Sequence, residues 1–161
     1  ASKSLNLTAL HRSRLLWHEQ VQRLTISELK RLALDGNADD EASALHTAQW
    51  THHRLQVRIA HRLRDFLFLP YKVMANPLVK SVFERYVAAF QAHEEFRGAI
   101  RSKEVVARYW VVLAKIFEDN ERVTRLLGAG RRQLVRMDPL LAGTLDAFLD
   151  RFYTSRIGTH L

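Results

Sequence analysis

Apolar residues recur at helical spacing along almost the whole chain, and the three prolines fall only where one such run ends or the next begins. Pro70 follows a run from about Glu41 to Leu69, and the residue before a proline resists the helical region. Pro77 and Pro139 each follow a side chain suited to capping, Asn76 and Asp138, and a proline in the first turn has no amide hydrogen to waste. These marks predict four long helices: about 41–69, from Asn76-Pro77 to about Phe96, about thirty residues after a Ser102 cap, and from Asp138 to the last residue. Two shorter N-terminal segments precede them. Leu5 to Leu24 reads as amphipathic, and Thr25 with Glu28 reads as a capping box, stopped at Asp35-Gly36. The expected fold is all-α, an up-and-down four-helix bundle with additional short N-terminal helices. The expected division is an N-terminal helical segment over 1–40 and the bundle over 41–161.

The last helix carries Leu141, Leu145, Phe148, Leu149 and Phe152 on one stripe, which runs on through Arg156. No glycine, asparagine or proline closes it before Leu161, so the chain reads as a piece cut from a longer protein. At 161 residues it is long enough to bury a real core. The absence of cysteine excludes a disulfide framework and a thiolate metal site. No apolar run reaches the roughly 18 residues that would predict a membrane-spanning helix. A net charge of +8 and a sequence pI near 10.3 favour acidic partners: nucleic acid, anionic lipid or an acidic protein domain.

Three seams carry a polar intruder where the period predicts burial: Tyr86, Asn120 and Arg156. A buried arginine is costly unless paired, and its planar fork matches a carboxylate with two parallel hydrogen bonds. If these helices adjoin, phenol, amide and guanidinium converge on a small anionic ligand. The alternative is that Arg156 pairs with an internal carboxylate such as Asp150 or Glu118, and that Asn120 only fixes helix register.

Other groups carry weaker signals. His52 and His53 are adjacent and point to different faces; with His46 and His61 they suggest a metal only faintly, because no H-E-x-x-H signature is present. Arg54, Arg58 and Arg62 form a basic rail, read as a solvated face or an anchor for acidic partners, with phosphate binding as the alternative. Trp17, Trp50 and Trp110 are expected in the core. Gly128 and Gly130 weaken their helix and mark a bend or a close helix crossing.

Longer strings are more specific. Leu149-Asp150-Arg151-Phe152-Tyr153-Thr154-Ser155-Arg156-Ile157 resembles the L-D-R-F-Y-x-x-R-I stretch of the mitochondrial α-keto acid dehydrogenase kinases, the pyruvate and branched-chain kinases among them. Leu55-Gln56-Val57-Arg58-Ile59-Ala60 is similar to the family's L-P-V-R-L-A. Leu69-Pro70-Tyr71, Asn76-Pro77, Ser81-Val82, Tyr86 and Ala89-Phe90-Gln91 resemble the branched-chain member. Leu24-Thr25-Ile26-Ser27-Glu28-Leu29 is similar to the family's opening. The likeness covers about residues 24 to 161 in order.

The resemblance implies the N-terminal helical domain of a protein serine kinase that phosphorylates and inactivates the decarboxylase subunit of a pyruvate or branched-chain α-keto acid dehydrogenase complex in the mitochondrial matrix. It implies a pocket for a small keto-acid effector lined by Ile59, Tyr86, Ile116, Asn120, Ser155 and Arg156, with Arg156 as the carboxylate anchor. It implies docking of the acidic lipoyl domain of the acyltransferase core, partly through the N-terminal helices, and a homodimer in the full-length protein. No catalytic residue, metal or cofactor is expected in this chain, because the family binds ATP and magnesium in a following α/β domain. Four positions depart from the family pattern: Asn120 replaces a histidine, Phe117 and His160 replace arginines, and Ala89 replaces a serine. Asparagine cannot take up a proton near neutral pH as histidine does. A non-catalytic kinase-derived scaffold and a basic nucleic-acid-binding module are the competing readings, with nucleic acid the weaker partner.

Overall fold

The structure is a computed structural model that describes residues 7–21 and 41–160, with side chains described as far as Thr154. It is all-α, with no strand among the described residues. Seven α-helices are described: α1 (Leu7–Leu15), α2 (Glu41–Leu67), α3 (Tyr71–Met74), α4 (Pro77–Glu94), α5 (Lys103–Asn120), α6 (Val123–Met137) and α7 (Ala142–His160). A single 3₁₀ turn, Pro139–Leu141, precedes α7. The helix count fits a bundle with short additions. The Thr25–Glu28 box, the Asp35-Gly36 stop and the segment boundary near residue 40 lie outside the described residues.

Local chemistry sets most ends. Asn76 accepts from the amides of Leu78 and Val79 at 3.0 and 3.2 Å, and Pro77 follows at the first helical position. Ser102 accepts from the Val105 amide at 3.4 Å, and Asp138 from the Leu140 amide at 3.2 Å. Gly98, four residues after the end of α4, adopts φ of +69°, a conformation that a side chain would strain.

Three expectations need correction. The helix predicted after Ser102 is two helices, broken at Glu121-Arg122 rather than at the glycines. No proline or glycine marks that break. Just before it, the Asn120 side chain donates from Nδ2 to the Ile116 carbonyl at 2.7 Å, a bond to its own helix that competes with the backbone ladder. The first helix stops at Leu15 rather than running on toward Leu24, and it buries Ala9 and Ser13 while Leu7 and Leu15 stay exposed. The tryptophans sit at the margins of the core: Trp17 and Trp50 are half-buried and Trp110 is exposed.

Helix α2 is the central element. It packs against α1, α4 and α5, and residues 55–60 are buried all round. Its C-terminal half, through Ile59, Leu63 and Phe66, joins α4, α6 and α7 in the larger apolar cluster. Its N-terminal half, through Ala48 and Leu55, joins Phe96, Ile100 and the α5 residues Val106, Tyr109 and Leu113 in a second one. The α4–α6 crossing is close. A Cβ at Gly130 would stand 3.1 Å from Val79 Cγ2 and 3.3 Å from Asn76 Oδ1, so only glycine lets the two helices meet here without adjustment. Gly128 shows no such closeness, with Arg132 Nη1 at 3.8 Å.

Candidate functional site

Phe66 on α2 anchors the candidate site. Its ring lies 5.8 Å from Phe83, 6.0 Å from Tyr86, 5.1 Å from Phe148 and 5.9 Å from Phe152. Tyr86 in turn stands edge-on to Phe152, with centroids 5.6 Å apart. Three helices thus supply one aromatic cluster, and the half-buried Tyr86 is its polar member. Ile59 is buried in the same cluster and Ile116 packs against its edge. Four of the six expected pocket residues therefore have described surroundings: Ile59, Tyr86, Ile116 and Asn120.

Asn120 ends α5, half-buried, with its amide turned onto the Ile116 carbonyl. Ser155 and Arg156 lie in the helical part of α7, but their side chains are outside the described residues, as is that of His160. The backbone register puts position 156 one turn beyond the buried Phe152. Phe117 is exposed and Ala89 is buried. Tyr153 ties α7 to the start of α6 through its hydroxyl, which donates to the Thr124 carbonyl at 3.5 Å.

The basic rail is not a solvated face. Arg58 is 8% exposed, and burial lowers its guanidinium pKa, with Arg54 and Arg62 adding repulsion. Arg62 reaches across to α7. Its Nη1 donates to the Arg151 carbonyl at 3.1 Å, while Nη2 pairs with Asp65 at 3.0 Å. Burial lowers its pKa too, against the opposing pull of Asp65 and Tyr86. Arg54 places its guanidinium 4.1 Å from the Trp50 ring centre, a cation–π contact. Sequence reasoning missed Arg62 as a neighbour of Tyr86. The signal was present: residue 62 follows Ile59 by three and precedes Phe66 by four, so it flanks the apolar stripe.

A second polar cluster lies in the smaller core. His93 and Tyr109 are each 1% exposed, and their rings stand 5.7 Å apart. His52 donates from Nε2 to the His93 carbonyl at 2.7 Å. Among the described residues, neither His93 ring nitrogen nor the Tyr109 hydroxyl has a hydrogen-bond partner. Burial, aided by charge on His52, pushes the His93 pKa down to about 3. His52 is also lowered, chiefly by burial, and burial raises the Tyr109 phenol. His53 points elsewhere, to Glu19 at 2.9 Å. Among the described residues, no three His, Asp or Glu side chains are grouped to hold a metal ion. Beside this cluster, Glu94 is shared by Arg12 Nη1 at 2.9 Å and the Gln56 amide, which fastens α1 to α2 and α4. No described helix is long and apolar enough to cross a membrane.

These elements define an all-helical domain with two apolar cores, the smaller of which encloses a histidine–tyrosine cluster. The chain belongs to the mitochondrial branched-chain alpha-ketoacid dehydrogenase kinase family, whose pattern matches residues 23–161. It is similar to a mitochondrial pyruvate dehydrogenase (acetyl-transferring) kinase of Arabidopsis thaliana, 31% identical over 132 residues, covering 78% of this chain and 34% of that protein. A probable pyruvate dehydrogenase kinase of Caenorhabditis elegans is 29% identical over 112 residues, 68% of this chain and 28% of that protein. The human pyruvate dehydrogenase kinase isozyme 3 is 26% identical over 122 residues, 73% and 30% of the two chains. The chain spans about a third of the length of these curated relatives.

Proposed function

We propose that this chain is the regulatory and docking domain of a mitochondrial matrix protein kinase. That kinase transfers phosphate from ATP–magnesium to serine on the decarboxylase subunit of a pyruvate or branched-chain α-keto acid dehydrogenase complex and shuts the complex off. The observation that carries the reading is the ordered family match across 23–161. The domain itself makes no covalent chemistry. It senses a small acid and holds the kinase on the complex.

In this reading the effector lies beside Tyr86 and Ile116, next to the aromatic cluster, with Arg156 as its anchor. An apolar surround strengthens an arginine–carboxylate pair, and the planar guanidinium fixes the acid's orientation. The aliphatic tail of a keto acid then packs on Ile59 and Ile116. Ser155 supplies a hydroxyl that can donate to the keto oxygen. Asn120 takes the place of the family histidine, so any signal to the catalytic domain passes through a neutral amide rather than a titrating ring. The N-terminal helices, α1 among them, form part of the surface that docks the acidic lipoyl domain, and the net positive charge suits that partner.

The test is calorimetry with pyruvate, dichloroacetate and a branched 2-oxo acid on wild type and Arg156→Ala. Loss of a charge-assisted contact should weaken binding by about 1.5–3 kcal/mol. Equal heats for the two proteins would remove the pocket. The kinase reading is tested separately, by phosphate transfer from ATP–magnesium to decarboxylase subunit in the longer protein.

A further inference from the structure

Helix α6 has two unlike faces. Val123, Leu127, Gly130 and Leu134 are buried toward α4 and the main core. The opposite face carries Arg122, Arg125 and Arg132, all exposed, around a shallow groove with a volume near 670 Å³. Gly128, Ala129 and Leu126 form its apolar floor. The spacing 122, 125, 129, 132 keeps these residues on one face over about 15 Å of helix.

Three observations say that the arginines do not serve the fold. First, α6 holds four arginines and no acidic residue, with a fifth arginine, Arg122, at its cap position, and like charges on one helix face repel. Second, Arg122 and Arg125 stand at the start of the helix, the positive end of its dipole, where cations are disfavoured and anions are welcome. Third, Arg131 is the α6 arginine with a carboxylate of its own, Asp146, bound through Nε and Nη2. Among the described residues, Arg122, Arg125 and Arg132 have no such acid within ion-pair distance.

We propose that this groove is a docking surface for an acidic segment of a partner protein, one that presents two or three carboxylates over a span of about 15 Å, three turns of helix, or less. The site is separate from the small-acid pocket and stands whether or not that pocket binds a keto acid. Charge complementarity names the sign of the partner, and the small apolar floor fits the aliphatic stems of glutamate. A protein segment is favoured over nucleic acid because the lining has no aromatic residue to stack a base and only three cations to follow a phosphate backbone.

The experiment uses fluorescence anisotropy of a labelled hexaglutamate peptide with the 161-residue chain at low and at physiological salt. Circular dichroism and thermal melting confirm that each variant keeps its fold. Arg125→Glu combined with Arg132→Glu should weaken peptide binding by about tenfold or more. Arg101→Glu combined with Arg108→Glu, the same charge change on exposed residues outside α6, should leave it within about twofold. Ala129→Phe, which fills the floor without altering charge, should weaken it also. Equal losses from both charge reversals would show a nonspecific charge effect and overturn the proposal. A single-stranded oligonucleotide that binds more tightly than the peptide, through the same two arginines, would overturn it in favour of nucleic acid.

Discussion

His93 shows how one buried side chain can set the acid response of the whole domain. Its folded pKa, about 3, lies well below the ordinary value of 6.5. Between those values the unfolded chain holds a proton that the folded chain rejects, so stability falls as pH drops below about 6.5 and continues to fall toward 3. His52 is shifted the same way, so it adds to the slope; Glu94 opposes its shift, while His53 and Arg97 reinforce it. One such group contributes up to about 1.4 kcal/mol per pH unit within the window. Urea unfolding at several pH values should show this slope, and His93→Phe should flatten it. A second prediction at this scale contrasts two glycines. Gly128→Ala should stabilise α6 by about 0.5–1 kcal/mol, because alanine favours the helix and nothing is crowded. Gly130→Ala should instead destabilise, since the contact with Val79 and the capping Asn76 costs about 1–3 kcal/mol and outweighs the same propensity gain. Thermal melting of the pair decides whether the crossing is as tight as the geometry implies.

At the level of elements, what could be read from the sequence followed the range of the forces involved. Asn76, Ser102, Asp138 and Pro70 act within one turn of backbone, so their helix ends were legible. The break at Glu121-Arg122 was not, because it depends on which core each half joins. Tyr109 and Leu113 of α5 belong to the smaller cluster, whereas Val123 and Leu127 of α6 belong to the larger. A continuous stripe in the sequence hid a change of partner. Arg58 was misread for a related reason. Helix α2 has neighbours on several sides, so a single-stripe reading could not foresee burial of an arginine outside the stripe. The candidate site was legible in part. The spacing of Tyr86 and Phe152 placed them on core-facing stripes, and the structure brings them into contact. Asn120 read as a pocket residue or, alternatively, a register device; its bond to its own helix was not foreseen, since the choice between a local and a distant partner is made by tertiary packing.

For the molecule as a whole, Phe66 is the residue on which most packing converges. It is fully buried and touches rings from both α4 and α7. Phe66→Ala should destabilise the domain by about 3–5 kcal/mol, read as a shift in the urea midpoint. Phe66→Leu, which keeps much of the volume, should cost clearly less. If the two cost the same, the ring-to-ring contacts rather than filled space hold the helices together.

The division of the interior into two clusters has a consequence for how the domain comes apart. Among the described residues, α2 supplies buried apolar side chains to both, whereas those of α5 belong to the smaller cluster and those of α6 to the larger, with the change at Glu121-Arg122. Amide protons of α5 and α6, though almost contiguous in the chain, should then exchange with solvent at separate rates, and a tug on one helix would loosen its own half first. Asn120 stands at that frontier, as the last residue of a unit that can yield before its neighbour does.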